Sequence, residues 1–244
     1  MRVFTDFSLV WAVKFMERFP LESTREMASI AWPSRAALLA LLLLARPVTA
    51  ERDLGASHNL LVKAPISEDW FVISRSNLAY RNDFDDRFLG FMGGGIGLQW
   101  SDQWSFRAGY RHVWFKPQTD WLEEDRLYVE AFYANRFDHV RFTSRSRFEF
   151  RYFDYRENDV RFRNEFVVEA NMPVLGTALR PYVEEEFFYS TEDDRIEANW
   201  LGAGFAWWPA DGIKLKVGYR WNRFRAGDEW RDRDTLVTGI NLFF

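Results

Sequence analysis

The chain has 244 residues, a net charge of −4 at pH 7 and no cysteine. The lack of cysteine excludes disulfide frameworks, thiolate metal sites and cysteine nucleophiles. The acidic net charge, without any basic run, gives no support to a nucleic-acid-binding surface. Aromatic residues make up 18% of the chain and charged residues 28%. This mixture is typical of a chain in which apolar and charged residues alternate, and one β domain can use this length.

A short apolar block lies near the N-terminus. Residues 36–45 read AALLALLLLA and are followed by RPVTA. A transmembrane helix needs about 20 apolar residues, so this block instead matches the core of a secretory signal, with Val48-Thr49-Ala50 as the cleavage site. We predict a signal peptide over residues 27–50, an over-extended gene start over residues 1–26 and a mature chain that begins at Glu51. A helical membrane anchor is the alternative.

Most of the remaining chain alternates with a period of two, which predicts β-strands. Residues 51–67 are interpreted as a periplasmic lead-in, although His58 to Pro65 within them could form a further strand. Ten strands are predicted: Trp70–Arg81, Arg87–Trp100, Trp104–Phe115, Arg126–Arg136, Val140–Phe153, Asp159–Met172, Leu179–Ser190, Arg195–Trp208, Ile213–Phe224 and Asp234–Phe244.

The connections between these strands predict the fold class. Short links such as SDQ and PADG alternate with longer charged ones such as KPQTDWLEED and RAGDEWRDRD. This alternation is typical of a transmembrane, antiparallel, up-and-down β-barrel with short periplasmic turns and long external loops. We therefore predict an all-β barrel of about ten strands over residues 68–244, with twelve strands as the alternative. A soluble β-sandwich or lipocalin-like barrel would also alternate.

Two further patterns favour the membrane barrel over the soluble one. Tryptophans gather near the strand ends, as interfacial girdles require: Trp70, Trp100, Trp104, Trp114, Trp207, Trp208 and Trp221. The charged face carries Arg and Glu together, as a lumen filled with ion pairs would. The predicted lumen network comprises Arg145, Arg147, Glu149, Arg151, Arg161, Arg163, Glu165 and Glu169.

The network also predicts a register for the hairpin of residues 140–153 and 159–172. Glu149 is expected opposite Arg163, and Arg147 opposite Glu165, since each pair joins opposite charges. A shift that sets Arg147 against Arg163 would place like charges together.

The last seven residues read TGINLFF. They look like the C-terminal assembly signal of bacterial outer-membrane proteins, with Thr238, Gly239, Leu242 and Phe244 in the characteristic places. Phe244, Leu242 and Thr238 are expected to face lipid, and Gly239 to face the lumen. The resemblance implies that this strand engages the barrel assembly machinery.

The mature region resembles the bacterial domain of unknown function 2490 family of presumed outer-membrane barrels. The resemblance rests on FRAGYRHVWF at 106–115, DRLYVEAFYANRF at 125–137, SRSRFEFRYFD at 144–154, RFRNEFVVEANMPV at 161–174 and LRPYVEEEFFYS at 179–190, and continues through GIKLKVGYRWNRF to the last strand. It implies a barrel in the outer membrane, in contact with lipid and lipopolysaccharide, and supplies no chemistry.

The sequence shows no catalytic or metal-binding motif and implies no cofactor. His58, His112 and His139 lie outside any recognisable nucleophile motif, and the Gly93–Gly95 run with Gly97 is expected to make a bend or room for bulky lumen neighbours. Glu185 must face away from Glu184 and Glu186, so a bulge or a position near the loops is expected there, because a carboxylate facing lipid is unfavourable.

Three function classes remain. The favoured one is a barrel plugged by its own Arg/Glu network, with a structural or interaction role. The second is a narrow diffusion channel, because ten strands lie just above the eight at which side chains fill the interior. The third is a membrane-embedded hydrolase, which would need a polar constellation at the rim or in the loops. The oligomeric state is left open.

Overall fold

The computed structural model describes residues 53–171 and 178–244, so the predicted gene start and signal peptide lie outside the described residues. Eleven strands form a closed barrel. They are β1 Leu54–Pro65, β2 Trp70–Arg81, β3 Asp86–Gln99, β4 Trp104–Phe115, β5 Leu122–Arg136, β6 Val140–Phe153, β7 Asp159–Ala170, β8 Leu179–Ser190, β9 Arg195–Ala210, β10 Ile213–Ala226 and β11 Glu229–Phe243. None of the described residues forms a helix of the length and apolarity that a membrane crossing requires.

The barrel closes through a parallel pair. All consecutive strands pair antiparallel, whereas β1 pairs parallel with β11, from Leu54 opposite Asp234 to Lys63 opposite Phe243. The prediction of ten strands, with twelve as the alternative, is therefore wrong. So is the interpretation of residues 51–67 as a lead-in, because β1 lies within them and is bonded to β2 on its other side. An odd number of strands can close a barrel only with one such parallel pair.

The two ends of the barrel carry different connections. One end, here called the loop end, carries residues 82–85, 116–121, 154–158, 191–194 and 227–228. The other, the turn end, carries residues 66–69, 100–103, 137–139 and 211–212, together with the end of β7 and the start of β8. The predicted long loop RAGDEWRDRD is mostly strand, because β10 continues to Ala226 and β11 begins at Glu229. Since β1 runs parallel to β11, β1 begins at the loop end and β11 finishes at the turn end.

The two faces of the wall differ as the period-two pattern requires. The outer face exposes large apolar side chains: Val72, Ile96, Phe106, Leu127, Val129, Phe148, Phe150, Val217, Leu236 and Ile240. The inner face buries charged ones, among them Arg107, Arg111, Glu130, Arg147, Glu149 and Arg163. An ordinary soluble barrel has the opposite arrangement, since its apolar residues turn inward.

The seven tryptophans of the predicted girdles lie in four different places. Trp70, Trp104 and Trp207 are exposed at the turn end, as is Trp100 in the adjacent turn. Trp114 lies near the loop end of β4, and Trp221 in the interior of β10. Trp208 lines the lumen instead. The outer face therefore carries a tryptophan belt at the turn end.

One of the predicted glycines makes room for a lumen side chain. Gly97 on β3 lies opposite the buried Phe71 on β2. A Cβ atom at Gly97 would stand 2.2 Å from Cζ of that ring, whereas one at Gly94 would meet only a backbone oxygen, of Ile73, at 3.4 Å. The lumen ring of Phe71 thus requires glycine at residue 97.

We expect Gly97→Ala to lower the free energy of unfolding by about 1–3 kcal/mol, because the ring of Phe71 must move out of its packed position. The midpoint of urea unfolding of the refolded barrel measures the effect. Gly94→Ala is the matched control and should cost clearly less. Adding Phe71→Leu to Gly97→Ala should recover part of the lost unfolding free energy. Equal urea midpoints for Gly97→Ala and Gly94→Ala would contradict the requirement for glycine at residue 97.

The predicted register of the β6–β7 hairpin is wrong by two residues. Arg147 lies opposite Arg163, the arrangement that the sequence argument disfavoured. The same register places residues of opposite charge across from each other four times: Arg141 and Glu169, Arg145 and Glu165, Glu149 and Arg161, and Arg151 and Asp159. Arg141 and Glu169 form no ion pair within 4.0 Å, since Glu169 binds Lys214 instead. The single like-charge pair is neutralised by other carboxylates, since Arg147 donates to Glu130 of β5 and both arginines contact Glu149.

Cysteine pairs can test this register without touching the ion pairs of the hairpin. Thr143 and Val167 lie opposite each other and both line the lumen. We expect Thr143→Cys with Val167→Cys to form a disulfide readily, because cross-strand Cβ atoms lie about 4.5–5.5 Å apart and a disulfide needs about 3.5–4.5 Å. Non-reducing electrophoresis after oxidation reports the bond. Preferential disulfide formation between Thr143→Cys and Glu169→Cys would instead support the register predicted from the sequence.

Candidate functional site in the barrel lumen

Glu130 is the centre of one half of the lumen network. Its side chain is fully buried and accepts hydrogen bonds from three arginines of three other strands. Arg75 of β2 donates through both terminal nitrogens at 3.3 Å, Arg107 of β4 at 2.8 Å and Arg147 of β6 at 2.5 Å. One carboxylate therefore holds β2, β4, β5 and β6 together from the inside.

Glu149 is the centre of the other half. It accepts hydrogen bonds from Arg147 at 3.2 Å, Arg163 at 2.9 Å and Arg161 at 2.6 Å. Two further guanidinium groups, of Arg111 and Arg126, lie 3.7 Å from its oxygens. Arginines outnumber carboxylates in both halves, so the network retains a positive charge.

The structure brings all eight predicted network residues into the lumen. Arg145 contacts Glu165 at 3.1 Å and Glu186 at 3.0 Å. Arg151 contacts Glu124 at 2.6 Å and Asp159 at 3.1 Å. Glu169 lies apart from the others, near the turn end, where it binds the ammonium group of Lys214.

Sequence reasoning missed the residues of the network that lie outside the β6–β7 hairpin. They are Arg75, Arg107, Arg111, Glu124, Arg126, Glu130 and Glu186. Each sits on the charged face of its own strand, so the same period-two pattern could have identified them once inward positions were assigned on every strand.

Aromatic rings hold several of these guanidinium groups from the side. The guanidinium carbon of Arg107 lies 4.3 Å from the ring centroid of Phe132. That of Arg111 lies 4.0 Å from the ring centroid of Phe91. Arg220 lies 4.2 Å from the ring of Trp200. Such stacking supports a cation while it leaves the N–H groups free to bind an anion.

A cavity of about 1380 Å³ runs beside the network. Its lining includes Arg81, Lys116 and Gly227 at the loop end, and Thr143 and Gly212 at the turn end. The side chains of Glu124, Glu130 and Glu149 are almost fully buried and lie outside this lining. The cavity thus reaches residues at both ends of the barrel.

Cations dominate the cavity surface. Its lining includes twenty Lys and Arg residues but only seven Asp and Glu residues. Among the residues that the structure describes, no carboxylate lies within 4.0 Å of the charged groups of Lys63, Arg141 or Arg220, all of which line the cavity. These three are the cations best placed to meet an anion from solution.

Two of these unpaired cations belong to the turn end. Lys63 lies near the end of β1 and Arg141 near the start of β6, across the barrel from it. The ammonium nitrogen of Lys63 lies 3.8 Å from the ring centroid of Phe71. The charges of Arg107 and Arg141 both act on it electrostatically. This end of the cavity is therefore positively charged from two opposite walls.

A polar cluster lies on the outer face near the loop end of β4 and β5. His112 Nδ1 lies 2.7 Å from Asp125 Oδ1, and Tyr110 donates to the same oxygen. Glu123 lies 3.6 Å from His112 Nε2. Only the cross-strand register reveals this cluster. Within the described part of the chain, no hydrogen bond joins His112 or Asp125 to a Ser or Thr hydroxyl. No group of three or more His, Asp or Glu side chains in the described ranges is arranged to hold a metal.

The C-terminal residues lie on the closing strand. His58 Nδ1 lies 2.7 Å from Thr238 Oγ1, and the amide of Phe244 donates to the carbonyl of Lys63 at 3.0 Å. Gly239 lies opposite Asn59, and Leu242 opposite Val62. The role of these residues in assembly stays a prediction.

Comparison with known proteins gives a matching family and a similar solved structure. The sequence profile of the family described as "Protein of unknown function (DUF2490)" matches residues 55–233. No curated protein sequence matches the chain. A solved structure titled "NanC porin structure in rhombohedral crystal form" is similar, with 13% sequence identity and a TM-score of 0.48, covering 78% of this chain and 98% of that one.

Glu149→Gln tests how far the lumen depends on its carboxylates. Loss of the charge leaves Arg161 and Arg163 without their shared partner, and breaking a buried pair in this way costs about 3–5 kcal/mol. We expect a large drop in the urea midpoint of unfolding. Glu197→Gln is the control, because Glu197 is partly exposed and its single ion-pair contact among the described residues, with Arg161, is long at 3.8 Å. A midpoint as high as that of the control would show that the network does not stabilise the barrel.

Proposed function

Because the chain belongs to the domain of unknown function 2490 family, which is described without an activity, we propose a function from the lumen itself: the protein is a narrow outer-membrane channel for small anionic solutes. The observation that carries the proposal is the cavity beside the ion-pair network, which reaches both ends of the barrel and is lined mainly by cations.

The location in the outer membrane is supported by the outer face. Its exposed side chains are apolar along most strands, and tryptophans gather at the turn end. A soluble protein rarely exposes apolar patches of this extent, while a lipid-facing wall requires them. The predicted signal peptide supplies the route of export, and lipid and lipopolysaccharide are the expected contacts of the outer face.

Anion selectivity follows from where the charges lie. The most deeply buried carboxylates, Glu124, Glu130 and Glu149, lie behind the cavity surface, so an entering solute meets guanidinium and ammonium groups first. Rings of Arg and Lys favour anions in narrow pores, and low-dielectric walls focus their field. Uncompensated cations at Arg141, Lys63 and Arg220 would each gain from a bound anion, because an unpaired buried charge is costly.

The second candidate is the plugged barrel with a structural or interaction role, which the sequence favoured. It is supported by the network itself, which fills the lumen beside β4 to β8 with side chains fixed by several hydrogen bonds each. The two candidates differ in whether the space beside β9 to β2 conducts.

Planar-bilayer recording of the refolded protein separates them. We expect small unitary current steps, and a reversal potential in a KCl gradient that shifts toward the equilibrium potential of chloride. The double variant Lys63→Glu with Arg141→Glu should move the reversal potential toward that of potassium, because it reverses the charge on two opposite walls of the turn end.

Arg87→Glu is the control for this charge reversal, since Arg87 is exposed at the loop end and outside the cavity lining. It should leave the reversal potential nearly unchanged. A folded, inserted barrel without current steps would contradict the channel and favour the plug. Current steps with cation preference would contradict the anion selectivity alone.

A further inference from the structure

Glu185 occupies an unexpected place in the barrel wall. It is the middle one of three successive glutamates on β8, and its neighbours turn inward, where Glu184 binds Lys216 at 2.9 Å and Glu186 binds Arg163 at 2.7 Å. Glu185 itself points outward and is exposed. The bulge of this strand lies between Phe188 and Tyr189. The expectation of a bulge at Glu185 or a place near the loops is therefore wrong, because Glu185 lies in the interior of the strand.

A carboxylate at this position has one partner in the described chain. Asn199 of β9 donates through Nδ2 to Glu185 Oε1 at 3.0 Å, and among the described residues no cation lies within 4.0 Å of it. Lipid tails offer no donor, and a charged side chain on the lipid face of a barrel is destabilising, most of all near the midplane.

Glu185 is part of a wider polar feature. On the same outer face, Asn164 of β7 donates to Ser146 Oγ of β6 at 2.6 Å. The side-chain amide oxygen of Asn164, Oδ1, is buried and has no hydrogen-bond partner among the described residues. Ser146, Asn164, Glu185 and Asn199 thus form a polar band across β6 to β9, which we call the outer polar band. Phe148, Phe162, Phe166 and Phe187 flank it on the same face.

We propose that the outer polar band is the contact surface between two copies of this chain in the membrane. The inference rests on the proposed membrane location and not on conductance. Partners that reach this depth must themselves be embedded in lipid. A second copy related by a two-fold axis along the membrane normal presents the same band at the same depth, so the depths match without further adjustment.

The chemistry of the band is self-complementary. It contains carboxamide groups, which donate and accept, beside a carboxyl group and a hydroxyl group. In a two-fold contact the second N–H of Asn199 in each copy faces the Glu185 carboxylate of the other copy, and the flanking phenylalanines pack against each other. Hydrogen bonds between membrane segments stabilise such contacts, and the contact also removes Glu185 from lipid.

The lack of cysteine in the chain allows a direct test by crosslinking. Phe187→Cys places a thiol within the flank of the band and leaves its four polar residues intact. Met92→Cys is the matched control, since Met92 is exposed on the outer face of β3, across the barrel. In membranes treated with a lipid-soluble oxidant, we expect a disulfide-linked dimer from Phe187→Cys and monomer from Met92→Cys.

Glu185 is then varied in the Phe187→Cys background. Glu185→Leu removes the hydrogen-bonding group and should lower the dimer yield about tenfold, while Glu185→Gln keeps an amide and should retain most of it. Equal yields for Phe187→Cys and Met92→Cys, or a yield that Glu185→Leu leaves unchanged, would overturn the proposed contact.

Membrane fractionation of the same cells keeps this inference separate from the proposed function. Protein found in the outer membrane without crosslinked dimer contradicts the contact surface alone. Protein found in the soluble fraction contradicts both. Dimer with no conductance leaves the contact surface standing and contradicts the channel.

Discussion

The barrel depends on the neutralisation of buried arginines by fewer carboxylates. Glu130 and Glu149 each accept hydrogen bonds from three guanidinium groups. The groups at Glu130 come from strands on both sides of it, whereas those at Glu149 come from its own strand and from β7. Because the outer face of the wall is mostly apolar, most of the charged side chains face the lumen. The network therefore substitutes for the hydrophobic core that a soluble domain of this size would possess.

The same shortage of carboxylates connects stability to the proposed function. The carboxylates of Glu124, Glu130 and Glu149 are among the most buried groups of the network, behind the cavity surface, because each contacts two or more arginines at once. Several of those arginines also line the cavity. So do Lys63, Arg141 and Arg220, which have no carboxylate partner among the described residues. In the proposed channel, the groups that would attract anions are the same groups that hold the lumen together.

Period-two alternation was sufficient to predict ten of the eleven strands, and their inner and outer faces. It failed for β1, because the inward residues Gly55, Ser57, Asn59 and Leu61 of this strand are uncharged and a charged one, Lys63, follows only near its end. The hairpin register was wrong because the argument considered two strands alone, whereas Glu130 of a third strand neutralises Arg147. The outer cluster at His112 and Asp125 could not be predicted from the sequence, because the two residues become neighbours only through the register of β4 and β5.

The parallel pairing of β1 with β11 has a consequence for the order of folding. His58 and Thr238, which meet across this seam, are separated by 180 residues in the chain, while every other strand pair joins neighbours in sequence. Contacts between distant residues require the most loop-closure entropy and form slowly. The ten local hairpins can therefore form first, leaving a curved sheet with two open edges that β1 and β11 seal. The start of β1 and the end of β11 then lie at opposite mouths of the barrel.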